Sequence, residues 1–235
     1  MPMGKKLGLS RQTLKWIAVV AMLIDHVGFL LSAFAPYPVW RTMRIIGRLA
    51  FPIYCFILVE GFYHTSNIKK YLIRLGVFAL ASEIPFDLLL RGTAFALDYQ
   101  NVFFTLFIGL LLLYLYSRFL GNVQPIYALM TLISALCLGF LIQCDYGAEG
   151  VLIIFLFYFF RFRPVPMFLS VGLVMVLMGG IEPFAIASFL PIAFYNGESG
   201  WRPESERGRK LLQYGFYVFY PLHLLILGII RILFI

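Results

Sequence analysis

The residues able to do chemistry in this chain are few and sit in apolar surroundings. Asp25 and His26 are neighbours. Arg41, Arg44 and Arg48 follow at i, i+3 and i+7. Glu60 and His64 are four apart, Glu83 and Asp87 flank Pro85, and His223 follows Tyr220–Pro221. Histidine is the side chain best poised for proton transfer near neutral pH. Asp25 and His26 project about 100° apart on a helix, so one can face a cavity while the other braces a neighbouring helix. The three arginines share one helix face. Their guanidinium groups could clamp an anion through bidentate forks, or they could snorkel and pair with acids such as Glu83. Glu83 and Asp87 are either an acid–base pair or counter-charges to those arginines. Pro85 between them removes a backbone bond and frees a carbonyl. His223 is a second base or an interhelical hydrogen-bond donor. Glu60 and His64 have a spacing that can hold a metal. No third ligand lies near in sequence, and capping or interfacial roles suit their position near a helix end. No metal is expected.

The elements that must carry these residues are set by composition. Of 235 residues, 62% are hydrophobic and 13% charged, against roughly 45–50% and about 25% in globular proteins. Mean hydropathy is +0.90. One soluble core cannot hide that much apolar surface, and disordered chains lack these residue types. An integral membrane protein is expected. An ionisable side chain at mid-bilayer costs roughly 2.5–3.5 kcal/mol, so each one above is a functional candidate by default. The net charge of +8 reads as loop charge that sets orientation, not as a nucleic-acid surface. Cys55, Cys137 and Cys144 show no metal or redox spacing and read as reduced packing residues. Aromatic runs such as Phe155 to Phe162 read as lipid-facing belts. Phosphate loops, nucleophile elbows and zinc-protease motifs are absent.

Apolar segments fall near 12–34, 40–63, 71–91, 101–118, 124–143, 147–161, 166–181, 183–196 and 211–234. They are continuous runs, not alternating strands, which disfavours a barrel. The expectation is an all-α, polytopic membrane helix bundle of about nine spans, a single domain over 1–235. The first segment is too long for a signal-peptide core and should remain as an anchor. With the N-terminus in the cytoplasm, fourteen of the nineteen basic residues fall inside, among them Lys5, Lys6, Lys69, Lys70 and Arg74. That satisfies the positive-inside rule and puts the C-terminus outside. Asp25, His26, the arginine stripe, Glu83, Asp87, Asn101, Asp145 and Glu149 then share the outer half of the bilayer, with His223 near the middle of its span. Shared depth across several helices implies one polar cavity open to the outside.

The order of short blocks adds a resemblance. Leu14–Lys15–Trp16–Ile17–Ala18, Ile24–Asp25–His26, Arg44–Ile45–Ile46–Gly47–Arg48, Glu60–Gly61, Ser82–Glu83–Ile84–Pro85–Phe86–Asp87, Asn101–Val102–Phe103, Asp145–Tyr146–Gly147 and Tyr220–Pro221–Leu222–His223 run through nearly the whole chain. In this order they resemble the TraX family, known for acetylating the N-terminal amine of conjugative pilin. That family is similar in turn to the large membrane acyltransferases that modify surface sugars. Those enzymes carry a histidine late in the first helix after an L-[RK]-x-x-A pattern, which Leu14, Lys15, Ala18 and His26 resemble.

The resemblance implies an acetyltransferase or acyltransferase of the bacterial cytoplasmic (inner) membrane. The donor would be cytoplasmic acetyl-CoA or another acyl-CoA. The acceptor would be an amine or hydroxyl at the outer face: a pilin N-terminus, a surface glycan or a lipid. His26 would act as base or carry the acyl group, Asp25 would orient it or brace the helix, and Arg48 would stabilise the oxyanion. Glu83 and His223 would tune protonation. Arg41 and Arg44 would hold donor phosphates or an anionic part of the acceptor. Lys69, Lys70 and Arg74 offer a cytoplasmic docking site, from which the pantetheine arm would thread the bundle. Two other classes compete. A proton-coupled transporter or flippase also needs intramembrane charge but should show an inverted repeat, and none is seen. A scaffold for pilus or envelope assembly would have no use for so many costly polar residues.

Overall fold

The computed structural model describes residues 7–96 and 98–234; Lys5 and Lys6 lie outside the described residues. The architecture is all-helical, in the order α1 (Arg11–Leu31), α2 (Tyr37–Gly47), α3 (Ala50–His64), α4 (Ile68–Leu90), α5 (Val102–Gly121), α6 (Pro125–Leu141), α7 (Gly147–Phe159), α8 (Pro164–Met178), a 3₁₀ segment (Glu182–Ser188), α9 (Phe189–Ala193) and α10 (Glu206–Phe234). Each expected apolar segment becomes helical. Among the described residues, four stretches are long and apolar enough to cross a membrane: Arg11–Leu31, Tyr37–His64, Val102–Gly121 and Glu206–Phe234. The apolar helices Pro125–Leu141, Gly147–Phe159 and Pro164–Met178 are shorter.

Polar residues mark where helices begin. The Ser10 hydroxyl accepts from Thr13 N, the Asn67 side chain from Lys70 N and the Asn101 side chain from Phe103 N. These satisfy backbone donors that a first turn leaves free. Pro38, Pro125 and Pro164 stand in the first turns of α2, α6 and α8, where a missing N–H costs nothing.

Two breaks differ from the expected spans, and both serve the polar centre. Segment 40–63 is two helices, parted at Arg48 and Leu49. Segment 183–196 is a 3₁₀ turn followed by a five-residue helix. At about 1.5–2 Å rise per residue it is too short to cross ~30 Å of hydrocarbon. Gly179 and Gly180 precede it with φ of +72° and +58°, a left-handed backbone that glycine adopts without strain. They turn the chain so that Glu182 points back into the bundle.

The core lies where α1 packs on α2 and α3, α4 on α10 and α5, and α7 on α5, α6, α3 and α8. Leu14, Ile53, Leu89, Leu110, Ile154 and Leu224 are fully enclosed there, while Val20, Ile73, Leu80, Leu141 and Leu169 face outward. Two isolated β-bridges tie distant loops together: Leu9 with Tyr195, and Gln100 with Cys144. The second holds the turns bearing Asn101 and Asp145 side by side.

Candidate functional site

A cavity of about 360 Å³ opens among α1, α2, α3, α4, α5, α10 and the 3₁₀ segment, lined by Asp25, His26, Arg44, Arg48, Tyr99, Asp145, Tyr146, Glu182 and Tyr220 with apolar neighbours. Two polar systems share it.

The first is a buried ion network. Asp25 receives Arg44 Nη1 at 2.5 Å and Arg48 Nη2 at 2.6 Å, one on each carboxylate oxygen. Arg48 Nη1 reaches Glu182 at 2.8 Å. The break after Gly47 puts Arg48 at the helix junction, so its fork spans from α1 to the 3₁₀ segment. Arg44 keeps a quarter of its side chain exposed against a tenth for Arg48, so Arg44 is the more open of the two. Such a network holds together because each charge is paired; removing one partner leaves another stranded.

The second is a histidine pair. His26 Nδ1 and His223 Nε2 are 2.8 Å apart, and His223 Nδ1 lies 2.7 Å from the Phe219 carbonyl. A carbonyl only accepts, so His223 Nδ1 carries a proton. In the neutral pair, His223 Nε2 is therefore the acceptor and His26 Nδ1 the donor. The free lone pair falls on Nε2 of His26. His26 lines the cavity and the buried His223 stands behind it. The Phe219 ring stacks on His223 at 4.7 Å and holds its plane. Chained in this way, His26 keeps Nε2 unprotonated in the neutral pair, a ring nitrogen able to accept a proton.

Asp145 forms the wall nearest the loops. Tyr99 Oη donates to its carboxylate at 2.7 Å, and the Thr105 hydroxyl donates to its carbonyl. Burial pushes its carboxyl up to about 6, with Tyr99 and Arg48 opposing. Tyr146, at φ +66°, stacks on Phe51 with ring centroids 3.7 Å apart, and the Arg48 guanidinium lies 5.9 Å from the Tyr146 ring centroid.

The structure thus brings Asp25, His26, Arg44, Arg48, Asp145 and His223 together, as shared depth implied. It places other candidates elsewhere. Glu83 does not line the cavity and does not meet the arginines. It accepts from Asn101 N at 2.9 Å and from the Asn101 side chain, whose Nδ2 also donates to Ala79 O at 2.8 Å. Glu83 is therefore a helix-junction anchor. Asp87 accepts from Ala96 N at 2.7 Å and pins the loop after α4. The two acids are neither an acid–base pair nor counter-charges to the stripe; Asp25 and Glu182 take that part. Arg41 lies over the Tyr37 ring, outside the cavity. Glu149 is exposed. Glu60 is paired with Arg161 at 2.8 Å and accepts from Tyr195 at 3.2 Å, and His64 Nδ1 lies 2.7 Å from the Glu60 carbonyl. That pair is a structural clasp.

A second cavity of about 240 Å³ lies behind the first and shares Met22, Tyr54, Val102 and Tyr220 with it. Arg74 lines this second space, whereas Lys69 and Lys70 are exposed and line neither. Sequence reading missed Glu182 and Tyr99. Glu182 had a usable signal, a carboxylate inside an apolar stretch beside a glycine pair. Tyr99 had none, because its role depends on the Gln100–Cys144 bridge.

No solved structure matches this chain. Among curated proteins it is 32% identical over 253 residues to the "Probable fimbrial assembly protein FimC, serogroup H1" of Dichelobacter nodosus, covering 96% of this chain and 97% of that protein. It is 50% identical over 50 residues to the uncharacterized protein RP591 of Rickettsia prowazekii (strain Madrid E), covering 21% of this chain and 18% of that one. The TraX protein family matches residues 10–231, and the chain belongs to that family.

Proposed function

We propose that this protein is a membrane acyltransferase that moves an acetyl or longer acyl group from coenzyme A to an amine or hydroxyl, with a pilin N-terminus as the acceptor best fitted to its relatives. The observation that carries this reading is the chain from Phe219 O through His223 to His26, which leaves a lone pair on His26 Nε2 inside a polar cavity. The fimbrial-assembly name of the Dichelobacter relative supports a pilus-related acceptor. Basic residues concentrated at the far ends of α1 and α4 and in the 196–210 connector favour a cytoplasmic N-terminus in the inner membrane by the positive-inside rule.

In this mechanism His26 Nε2 takes a proton from the acceptor nitrogen or oxygen as that atom bonds to the thioester carbonyl carbon. The imidazolium that forms is shared with His223 through the 2.8 Å contact. Arg44, the more open guanidinium, and Arg48 behind it face the developing oxyanion. Collapse breaks the carbon–sulfur bond. The proton on His26 goes to sulfur, so an amide or ester and a free thiol leave. Asp25 touches no reacting atom; it is a positioning residue for the arginines.

The test is thiol release from acetyl-CoA by the purified protein in nanodiscs, with a short peptide bearing a free N-terminal alanine. Peptide-stimulated release by wild type, lost in a folded His26→Ala variant, is the expected result. No release and no donor binding by folded protein would overturn the reading and favour a proton-coupled transporter using the same buried charges.

A further inference from the structure

The charges around the His26 cavity do not balance. Arg44 and Arg48 are matched by Asp25 and Glu182, at 2.5–2.8 Å. Asp145 is left over. Its Oδ1 accepts from the neutral hydroxyl of Tyr99 at 2.7 Å. Among the described residues, its Oδ2 has no hydrogen-bond or ion-pair partner. Arg48 acts on this carboxyl from beyond ion-pair distance, and Asp25 and Glu182 oppose that effect. The lining therefore holds one carboxylate more than it has cations.

The extra carboxylate is held firmly. Asp145 N donates to Gln100 O at 2.7 Å, Tyr99 Oη fixes one carboxylate oxygen, and the Thr105 hydroxyl donates to the Asp145 carbonyl. A buried charge without a counter-charge is costly unless a ligand supplies one. The wall around Asp145 indicates the kind of ligand. It is aromatic, built from Phe51, Phe86, Tyr99, Tyr146 and Tyr220, and aromatic faces attract a cation. The basic cavity at the other end of the bundle has the opposite character. Arg11, Lys15, Arg202 and Arg209 line it with no acid in its wall, so a cation finds no counter-charge there.

Acyl transfer to an amine needs a group of this kind; this step rests on the acyltransferase reading. An N-terminal amine titrates at about 7.7–8.0. At neutral pH it arrives mostly as an ammonium ion, which has no lone pair. Between ammonium and amide the nitrogen loses two protons. His26 Nε2 takes one as the carbon–nitrogen bond forms and passes it to sulfur. The other must leave before attack. Asp25 and Glu182 are held by the arginines, which leaves Asp145 as the base still open in the lining. Burial raises its carboxyl to about 6. It is still ionised at neutral pH, yet it holds a proton more tightly than an ordinary aspartate.

We propose that Asp145 binds the acceptor as a primary ammonium ion and takes the first of its two protons, so that the site works with two bases, Asp145 before attack and His26 during it. The N–H bond breaks, its electron pair stays on nitrogen, and the proton moves to Asp145 Oδ2. The neutral amine then attacks the thioester carbon and gives its second proton to His26. Once the amide has left, Asp145 returns its proton to water at the cavity mouth. Each turnover on an amine thus releases one proton to solution, beside the one that goes to the thiol.

The experiment has two parts, both on the full chain in phosphatidylcholine nanodiscs. Wild type is compared with Asp145→Asn, which keeps an acceptor for Tyr99 but carries no charge and takes no proton. First, binding is measured without donor for a short peptide with a free N-terminal alanine and for the same peptide N-acetylated. The free-amine peptide should bind wild type and bind the variant roughly tenfold or more weakly, the scale of one charge-assisted hydrogen bond. The acetylated peptide should bind both alike. Second, transfer from acetyl-CoA is followed to the alanine peptide and to one beginning with an aminooxyacetyl group, whose terminal nitrogen is neutral at pH 7. The variant should lose about 10²-fold on the alanine peptide, the scale of one general base, and far less on the aminooxy peptide. Structural damage would lower both alike. Equal binding of the free-amine peptide by folded wild type and variant would overturn the proposal, and so would equal loss on the two acceptors. Binding as expected with no transfer to either peptide would instead sink the acyltransferase reading and leave Asp145 standing as an ammonium site.

Discussion

Gly47 sits so close to Asp25 that a Cβ at residue 47 would lie 2.2 Å from the Asp25 Cβ and Oδ1. The contact lets α2 approach α1 closely enough for Arg44 and Arg48 to reach both oxygens of one carboxylate. Gly47→Ala should therefore be destabilising although alanine is the better helix former. Asp25 Cβ is fixed to the backbone and cannot swing aside, so overpacking of about 1–3 kcal/mol outweighs the ~1 kcal/mol gained from propensity. A fall in Tm of several degrees is expected, with loss of transfer activity. Gly215→Ala, where nothing lies within 4 Å, should hold or raise Tm. Equal behaviour of the two variants would mean that the close approach is not needed.

Among the described residues, Asp25 is the single counter-charge for Arg44 and one of two for Arg48. Asp25→Asn strands Arg44 and leaves Arg48 with Glu182 alone, and should cost roughly 3–5 kcal/mol, the range for breaking a buried pair. Glu182→Gln leaves Arg48 still held by Asp25 and should cost clearly less. Denaturant or thermal unfolding in detergent checks the order; a larger loss for Glu182→Gln would reverse the roles given to the two acids.

Much of this network was legible in the chain and part of it was not. Depth along each apolar segment was enough to bring Asp25, His26, Arg44, Arg48 and Asp145 to one level, because rise per residue is nearly constant. Depth says nothing about which way a side chain points around its helix. Glu83 and Asp87 were therefore grouped with the arginines, although they face the turn before α5 and satisfy backbone donors there. The partner actually chosen by Arg48, Glu182, is 134 positions away. It arrives through two left-handed glycines that read in sequence only as a break. The basic cavity at the other end of the bundle was missed for a related reason. Lys69, Lys70 and Arg74 are grouped in sequence, whereas Arg11, Lys15, Arg202 and Arg209 are grouped only once the connector folds back on α1.

Asp145 makes a pH prediction. Its carboxyl is raised by burial to about 6 from an ordinary 3.8. Between those values the unfolded chain releases this proton and the folded chain keeps it, so stability from this group falls as pH rises through that window and is level above it. Asp145→Asn keeps an acceptor for Tyr99 Oη but cannot ionise. Relative to wild type, the variant should gain Tm steadily from pH 4 to about 6 and hold the gain above that. A pH-independent difference between the two would show that Asp145 titrates no differently in the folded chain.

The histidine pair makes the sharpest prediction, because its members act in series. His223→Phe removes the acceptor that holds the His26 Nδ1 proton, so His26 no longer presents Nε2 as the free base. Loss of the group that sets a catalytic tautomer costs up to about 10⁴ in kcat in the serine protease triad, and His223→Phe should cost about 10²–10⁴ with donor KM little changed. His26→Ala should be at least as severe. The double variant should be no worse than His26→Ala alone, because residues acting as one unit are not additive. His223→Gln can still offer a carbonyl oxygen to His26 Nδ1 and should recover part of the lost kcat. Multiplying losses in the double variant, or no recovery with glutamine, would mean that the two rings contribute separately and that the 2.8 Å contact is a packing contact between α1 and α10.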